Sequence, residues 1–181
     1  MSGAGMLGAE KRTEAEKRSE AEKRLKRCCF TGHRPEKLGC NEAQAVKLLD
    51  AAISDAYAAG YGTFISGMAR GVDIWAAELV LKERRIHPDI HLICALPHPD
   101  FEKRWRTEWQ RRYRDVLAAA DLVKTVCPSF SMSAYQKRNE WMVDHSSRVI
   151  AVYNGEPGGT ANTIGYAQEK GVEVVIVNEC G

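Results

Sequence analysis

Long hydrophobic runs are absent from this chain of 181 residues. Its most apolar stretches, near residues 148–153 and 172–177, are far shorter than the roughly 20 residues that a helix needs to span a bilayer. The N-terminal segment is charged and lacks the apolar centre of a secretory signal. We therefore expect a cytoplasmic protein without membrane contact, whose length suits one domain with its own core.

Paired cysteine motifs are also absent. The six cysteines lie at positions 28, 29, 40, 94, 127 and 180, and no two of them have the C-x-x-C spacing of a metal or redox site. Cys29, Cys94 and Cys127 lie in apolar, strand-like stretches, where buried reduced thiols are common. The histidines are too scattered to suggest metal ligands. We expect a reducing compartment, no disulfide framework and no metal site.

Neither of two common nucleotide-binding fingerprints occurs between a predicted strand and a predicted helix. The chain contains no G-x-x-x-x-G-K-[ST], and no G-x-G-x-x-G stands between a predicted strand and a helix. The first absence excludes a Walker-type NTPase, and the second disfavours hydride transfer with a nicotinamide cofactor. No motif requires a cofactor, although a nucleotide or an NAD-derived molecule remains possible as a ligand.

Basic charge is concentrated at the N-terminus. Residues 1–27 contain eight Lys or Arg and five Glu, which leaves 18 basic and 19 acidic residues for positions 28–181. A nearly neutral body is a poor electrostatic footprint for a general nucleic-acid binder. The Ala-Glu-Lys-Arg repeat of the first part has a period of six, which forms no apolar stripe on a helix. We predict a charged leader, helical or disordered, at residues 1–26 and a single domain at 27–181.

From Cys28 onward, short apolar runs alternate with segments of helical periodicity. The pattern predicts strands at 28–31, 63–66, 91–96, 122–126, 148–153 and 172–177, and helices at 41–59, 72–85, 100–120, 133–146 and 161–170. Such alternation is typical of an α/β fold with a parallel sheet, here of about six strands, covered by helices on both faces. The carboxyl ends of the strands then meet at one edge, where ligands of open sheets bind.

Three polar or glycine-rich turns directly follow predicted strands. They are Thr31-Gly32-His33-Arg34-Pro35, Ser66-Gly67-Met68-Ala69-Arg70-Gly71-Val72-Asp73 and Pro157-Gly158-Gly159-Thr160. Glycine lets a ligand approach the backbone, and a helix that starts after such a turn directs free N–H groups at an anion. Arg34 and Arg70 add cationic side chains for phosphate. Each turn alone is compatible with a plain strand-to-helix connection, but three at one edge favour a ligand site.

An aromatic series on the predicted 100–120 helix has two interpretations. Phe101, Trp105, Trp109 and Tyr113 recur every four residues and would share one helix face. They either pack into the core or form a stacking platform for bases, since several arginines surround them.

Three carboxylates could serve as an acid or base. Asp73 could instead cap its helix, Glu78 lies five residues later within that helix, and Asp144 precedes the fifth strand. A structural or ligand-orienting role is the simpler interpretation of each.

Taken in order along the chain, the motifs resemble the YpsA-like branch of the SLOG superfamily, to which the Lonely Guy phosphoribohydrolases and the DprA/Smf DNA-processing proteins also belong. The resemblance runs from about residue 27 to 177. It rests on the three turns, on Ile74-Trp75-Ala76-Ala77-Glu78, on Gln136-Lys137-Arg138-Asn139 and on Val143-Asp144. It implies a Rossmann-like fold, a nucleotide-type pocket at the strand ends and frequent self-association, to which the aromatic helix would contribute apolar surface. It does not imply one activity.

The turns and the resemblance together predict a set of ligand-binding residues. The glycines and Thr160 would cradle phosphate, the arginines would pair with it, Trp75 would stack on a base or pack in the core, and Asp73 or Asp144 would accept ribose hydroxyls. The set is Thr31, Gly32, His33, Arg34, Ser66, Gly67, Arg70, Gly71, Asp73, Trp75, Arg138, Asn139, Asp144, Gly158, Gly159 and Thr160.

Three functions fit these features. The leading hypothesis is a domain that binds or senses a nucleoside phosphate, NAD or an ADP-ribose derivative. The first alternative is a phosphoribohydrolase or N-glycosidase acting on nucleotides, with Glu78 or Asp73 as the catalytic carboxylate. Lonely Guy enzymes place a glutamate shortly after the shared Pro-Gly-Gly-Thr turn, whereas residues 161–165 contain no carboxylate here. The second alternative is a DprA-like single-stranded nucleic-acid binder.

Overall fold

The computed structural model describes residues 13–177, which form an α/β fold. The strands are β1 Arg27–Gly32, β2 Thr63–Ser66, β3 His91–Leu96, β4 Leu122–Thr125, β5 Arg148–Val152 and β6 Glu173–Ile176. The helices are α1 Glu14–Arg24, α2 Glu42–Ala58, α3 Val72–Glu83, α4 Thr107–Ala119, α5 Ala134–Asp144 and α6 Gly159–Glu169, with a short 3-10 helix at Pro35–Lys37.

The six strands make one parallel sheet in the order β4-β3-β2-β1-β5-β6. The chain runs outward from β1 to β4, crosses back to β5 beside β1, and then runs outward the other way to β6. In register, Gly32 at the end of β1 pairs with Val152 at the end of β5. Because the chain runs outward in opposite directions from these two strands, its winding direction reverses between β1 and β5. Such a switch point opens a crevice at the carboxyl ends of the strands.

Two apolar layers enclose the sheet, because successive side chains of a strand point to opposite faces. Cys28 and Phe30 of β1 pack in the layer under α2, α3 and α4, whereas Cys29 packs in the layer under α5 and α6. All three side chains are almost fully buried. The predicted fold class, a Rossmann-like parallel sheet of about six strands with helices on both faces, is confirmed.

The fourth helix begins later than its periodicity predicts. Residues 99–104 form turns, Asp100 has a left-handed backbone with φ of 60°, and α4 starts only at Thr107. The prediction of one helix over 100–120 is therefore wrong in its first two turns. Phe101 and Trp105 do not share a helix face with Trp109 and Tyr113.

Part of the charged leader is helical. Helix α1 has a capping box in which Thr13 and Glu16 satisfy each other's backbone N–H groups, and none of its residues is buried. Residues 1–12 lie outside the described residues. Within positions 13–177, no helix combines the length and the apolar composition that crossing a membrane requires.

Four of the six cysteines lie buried in the core. Cys28, Cys29, Cys94 and Cys127 are buried free thiols. Burial raises the pKa of the Cys29 and Cys94 thiols to about 12, so both remain protonated at neutral pH. Cys40 is partly buried and packs against the apolar layer under α2, α3 and α4.

Candidate functional site

The turn after β1 runs close against helix α3. A Cβ atom on Gly32 would lie 2.6 Å from the Cβ atom of Val72, so this position needs glycine. Beyond it, the chain passes His33 and Arg34 and enters the 3-10 helix at Pro35. The close approach brings the β1 turn against the start of α3.

The turn after β2 is built around two further glycines. A Cβ atom on Gly67 would lie 2.5 Å from a guanidinium nitrogen of Arg138 and 2.8 Å from Oδ2 of Asp73. Gly71 precedes α3 with φ of 91°, and a Cβ atom there would lie 2.7 Å from Cδ of Pro35. The lack of side chains therefore lets the first two turns touch each other and lets Arg138 reach the second turn.

The turn after β5 leads directly into helix α6. Gly158 has φ of 147°, a region open mainly to glycine, and it gives α6 no side-chain cap. The first intrahelical backbone bond of α6 is donated by Asn162 to Gly158. The N–H groups before it have no partner within the helix, and the helix dipole makes this end attractive to an anion.

These three turns meet around one cavity of about 330 Å³ at the carboxyl edge of the sheet. Small-molecule sites occupy roughly 300–1,000 Å³, so this cavity suits a small ligand. The residues that line it are Phe30, Thr31, Gly32, His33, Arg34, Lys37, Ala69, Arg70, Asp73, Phe101, Trp105, Tyr135, Arg138, Asn139, Pro157, Gly158, Gly159 and Thr160.

Positive charge dominates the cavity wall. Among the described residues, four basic side chains line the cavity, against a single carboxylate, that of Asp73. Arg70 is partly neutralised by Glu36 at 2.7 Å. Arg34 and Lys37 are exposed and form no ion pair within residues 13–177. They leave uncompensated positive charge beside the start of α6, which suits an anionic group.

Asp73 and Arg138 form a buried, oppositely charged pair at the floor of the cavity. Both side chains are more than nine-tenths buried. Burial raises the pKa of Asp73 and lowers that of Arg138, and the charge of each partner opposes the shift. Oδ2 of Asp73 accepts the N–H of Ala69 at 3.2 Å, while Arg138 donates to the carbonyl of Gly67 and to Oδ1 of Asn139. These contacts hold the β2 turn in place.

His33 is a buried polar group of the cavity wall with an open hydrogen-bonding position. Its ring stacks on Tyr153 at 5.5 Å between centroids, and its Nε2 atom has no partner within the described residues. Burial lowers the pKa of His33, against the effect of a hydrogen bond with Asn154. The ring is therefore neutral at pH 7 and retains one unused polar atom.

Eleven of the sixteen predicted ligand-binding residues line the cavity. The five that do not line it are Ser66, Gly67, Gly71, Trp75 and Asp144. Gly67 and Gly71 shape the turn beneath it, and the Ser66 hydroxyl is used by the carbonyl of Asp73 and the N–H of Met68. Trp75 is buried beside Trp109. Its position supports packing in the core and not stacking on a ligand base.

Two predicted carboxylates lie away from the cavity. Asp144 accepts a hydrogen bond from the Tyr166 hydroxyl at 3.0 Å and does not line the cavity. Glu78 lies on α3 and holds Arg112 of α4, which also contacts Glu42 of α2. These positions do not support the role toward a ligand that was expected of Asp144 and Glu78. Among the described residues, Asp73 is the carboxylate that lines the cavity.

The aromatic series is divided between the core and the cavity. Tyr113 is buried and Trp109 packs on Trp75, whereas Phe101 and Trp105 line the cavity. The series therefore offers no continuous exposed platform, and the apolar face of α4 that was expected to support self-association is turned inward. Sequence reasoning also missed Lys37 and Tyr135 as lining residues, although Lys37 follows the β1 turn by only two residues.

No group of three or more His, Cys, Asp or Glu side chains that could hold a metal ion occurs in the part of the chain that the structure describes. The groups that line the cavity are the glycine-rich turns, basic side chains and aromatic rings. A doubly wound parallel sheet with such a cavity at its switch point defines a Rossmann-like class of domain.

Within that class, the chain belongs to the YspA SLOG family, whose model matches residues 28–174. It is 35% identical over 118 residues to the uncharacterized SPbeta prophage-derived protein YoqJ of Bacillus subtilis, a match that covers 59% of this chain and 69% of YoqJ. The superfamily resemblance drawn from the motifs is confirmed.

Solved structures share the fold at low sequence identity. DNA processing protein A (DprA) of Streptococcus pneumoniae superposes with a TM-score of 0.62 at 18% identity, over 83% of this chain and 49% of that one. DprA of Helicobacter pylori, whose structure describes a single-stranded DNA binding mode, gives a TM-score of 0.59 at 18% identity, over 86% of this chain and 66% of that one. This chain thus spans about half to two thirds of the DprA chains that it matches.

Proposed function

We propose that this domain binds a small nucleotide-type ligand, a nucleoside phosphate or a derivative of NAD or ADP-ribose, in the cavity at the ends of β1, β2 and β5. The observation that carries the proposal is the meeting of the three turns around one positively charged cavity. The phosphate would lie at the uncapped start of α6, between Gly158, Gly159 and Thr160 and the free charges of Arg34 and Lys37.

The rest of the cavity wall supports a ligand with a sugar and a ring. The open Nε2 atom of His33 offers a polar group for a hydroxyl, while Phe101, Trp105 and Tyr135 offer aromatic surface. Binding rather than hydrolysis is the function proposed here, because Glu78 lies outside the cavity and the Asp73 carboxylate is already engaged by Ala69 and by the charge of Arg138.

Single-stranded nucleic acid is a weaker candidate than a small ligand. The aromatic side chains of the 101–113 series are largely buried or face a cavity of about 330 Å³, whereas a strand needs a groove with successive stacking positions. Arg112, one of the arginines that would flank such a platform, is held by Glu78 and Glu42.

The proposal predicts calorimetrically measurable binding of at least one of AMP, ADP-ribose and NAD. Arg34→Ala should weaken that binding about tenfold or more, because a charge-assisted contact to phosphate is lost, and added salt should weaken it further. Lys47→Ala is the matched control, since Lys47 is an exposed cation on α2 that does not line the cavity.

A folded sample that binds none of the three compounds would overturn the proposal. So would equal losses of affinity in the Arg34→Ala and Lys47→Ala variants, because binding would then depend on net charge and not on the cavity.

A further inference from the structure

The aromatic end of the cavity is built by a short non-helical segment, residues 97–106, between β3 and α4. Phe101 and Trp105 of this segment line the cavity together with Tyr135 of α5. The rings of Phe101 and Trp105 also pack against the ring of Tyr113, at 5.5 Å and 5.7 Å between centroids. The inner sides of the two rings are thus supported by the core, and the cavity receives the remaining aromatic surface. We call Phe101, Trp105 and Tyr135 the aromatic wall.

Two backbone turn bonds, from Lys103 to Asp100 and from Trp105 to Glu102, and one side chain of α4 hold this segment in its turn conformation. Nε2 of Gln110, in the first turn of α4, donates to the backbone carbonyls of Lys103 at 3.0 Å, Trp105 at 3.1 Å and Glu102 at 3.4 Å. The Glu102 carbonyl also accepts the N–H of Trp105 at 2.9 Å, whereas the carbonyls of Lys103 and Trp105 precede α4 and lie outside its backbone ladder. The left-handed backbone of Asp100 makes the segment costly to form, so it depends on such contacts.

The aromatic wall and the anion-binding turn follow strands that are not neighbours in the sheet. The wall follows β3 and the uncapped turn follows β5, and three strand spacings separate these strands, through β2 and β1. At about 4.8 Å per spacing the ends of β3 and β5 are about 14 Å apart, and the side chains of Phe101 and Trp105 line the cavity between them, so a bound ligand spans less than this distance. A ligand that uses both the wall and the turn must carry an anionic group on one side and a planar ring on the other.

We propose that Gln110 is a positioning residue that holds the aromatic wall in place, and that the wall makes the site prefer a phosphate ester bearing a planar base over the sugar phosphate alone. This inference rests on the proposed function and specifies its ligand class. Gln110 itself does not line the cavity, so it acts through Phe101 and Trp105.

The test compares AMP with ribose 5-phosphate, which share the phosphate and the sugar but differ in the base. The wild-type protein should bind AMP at least about tenfold more tightly, as expected for stacking of one base on an aromatic side chain. Gln110→Met keeps the length of the side chain but removes its donors. It should reduce AMP affinity about tenfold and change ribose 5-phosphate affinity less than about twofold.

Gln168→Met is the matched control, because Gln168 is an exposed glutamine near the end of α6, away from the cavity. It should leave both affinities unchanged. Trp105→Leu supplies a second variant that removes part of the aromatic wall directly, and it should also reduce the preference for AMP. Thermal unfolding of each variant verifies that the compared samples are folded.

The outcomes separate the two proposals. An unchanged ratio of AMP to ribose 5-phosphate affinity in folded Gln110→Met or Trp105→Leu protein would overturn the positioning role, while binding of both compounds would still support the proposed function. A wild-type protein that binds neither compound would overturn this inference, and it would overturn the proposed function as well only if ADP-ribose and NAD also fail to bind.

Discussion

His33 illustrates how a single residue can link the site to stability. It is buried in the cavity wall, stacked on Tyr153, and its pKa is lowered mainly by burial. The unfolded chain therefore takes up a proton on this ring at a higher pH than the folded protein does. Between the two pKa values the unfolded state binds more protons, so stability decreases as pH falls below about 6.5.

The prediction at this scale concerns His33→Asn, which removes the titrating ring and keeps a polar group. Urea unfolding at pH 7.0 and at pH 5.5 should show a smaller loss of unfolding free energy in the variant than in the wild-type protein. An equal loss in both proteins would mean that the folded state does not suppress protonation of His33.

Several of the site residues could be predicted individually because their positions follow from chemistry and chain order. Arg34, Arg70 and Gly158 belong to turns that directly follow strands, and all three line the cavity. Tyr135 could not be found in this way, since it reaches the cavity from the start of α5 and no local pattern marks it. Trp75 and Glu78 carry suitable chemistry, but packing with Trp109 and pairing with Arg112 occupy them elsewhere.

At the scale of elements, the contact between β1 and α3 determines how closely the turns approach one another. Gly32 ends β1 where Val72 begins α3, and the two backbones leave no space for a side chain. The same contact places the β1 turn beside Gly71 through Pro35.

This contact predicts that Gly32→Ala destabilises the protein by about 1–3 kcal/mol, the usual cost of overpacking a tight interior. Gly165→Ala is the control: Gly165 is inside α6, and a Cβ atom there would meet nothing within 4 Å outside its own helix. That change should stabilise the protein by about 0.5–1 kcal/mol, because alanine loses less backbone entropy in a helix. Chemical denaturation measures both, and equal effects of the same sign would contradict this description of the contact.

The elements themselves were predictable to different degrees. The strands at 63–66 and 91–96 have the predicted bounds, since a short apolar run between turn residues leaves few alternatives. The start of α4 was not predictable from periodicity, because Phe101 and Trp105 keep a four-residue spacing without being helical. The carbonyls of Lys103 and Trp105 accept hydrogen bonds from Gln110 instead, a side-chain contact that no pattern of apolar residues reveals.

At the scale of the whole molecule, the proposed function depends on the strand order. Alternating strands and helices predict a parallel sheet, but they do not state that β5 returns to the side of β1. That return forms the switch point and places Gly158 next to the turn that carries Arg34. With right-handed crossovers, this order goes together with α2, α3 and α4 on one face of the sheet and α5 and α6 on the other.

The central claim is that turns distant in the chain form one anion-binding cavity, and a two-dimensional ¹H–¹⁵N NMR titration with AMP tests it most directly. We expect concerted amide shifts in three separate segments, residues 31–37, 69–73 and 157–161, together with the indole signal of Trp105. Saturable shifts confined to one segment, shifts on another surface of the fold, or no shifts in a folded sample would contradict the account.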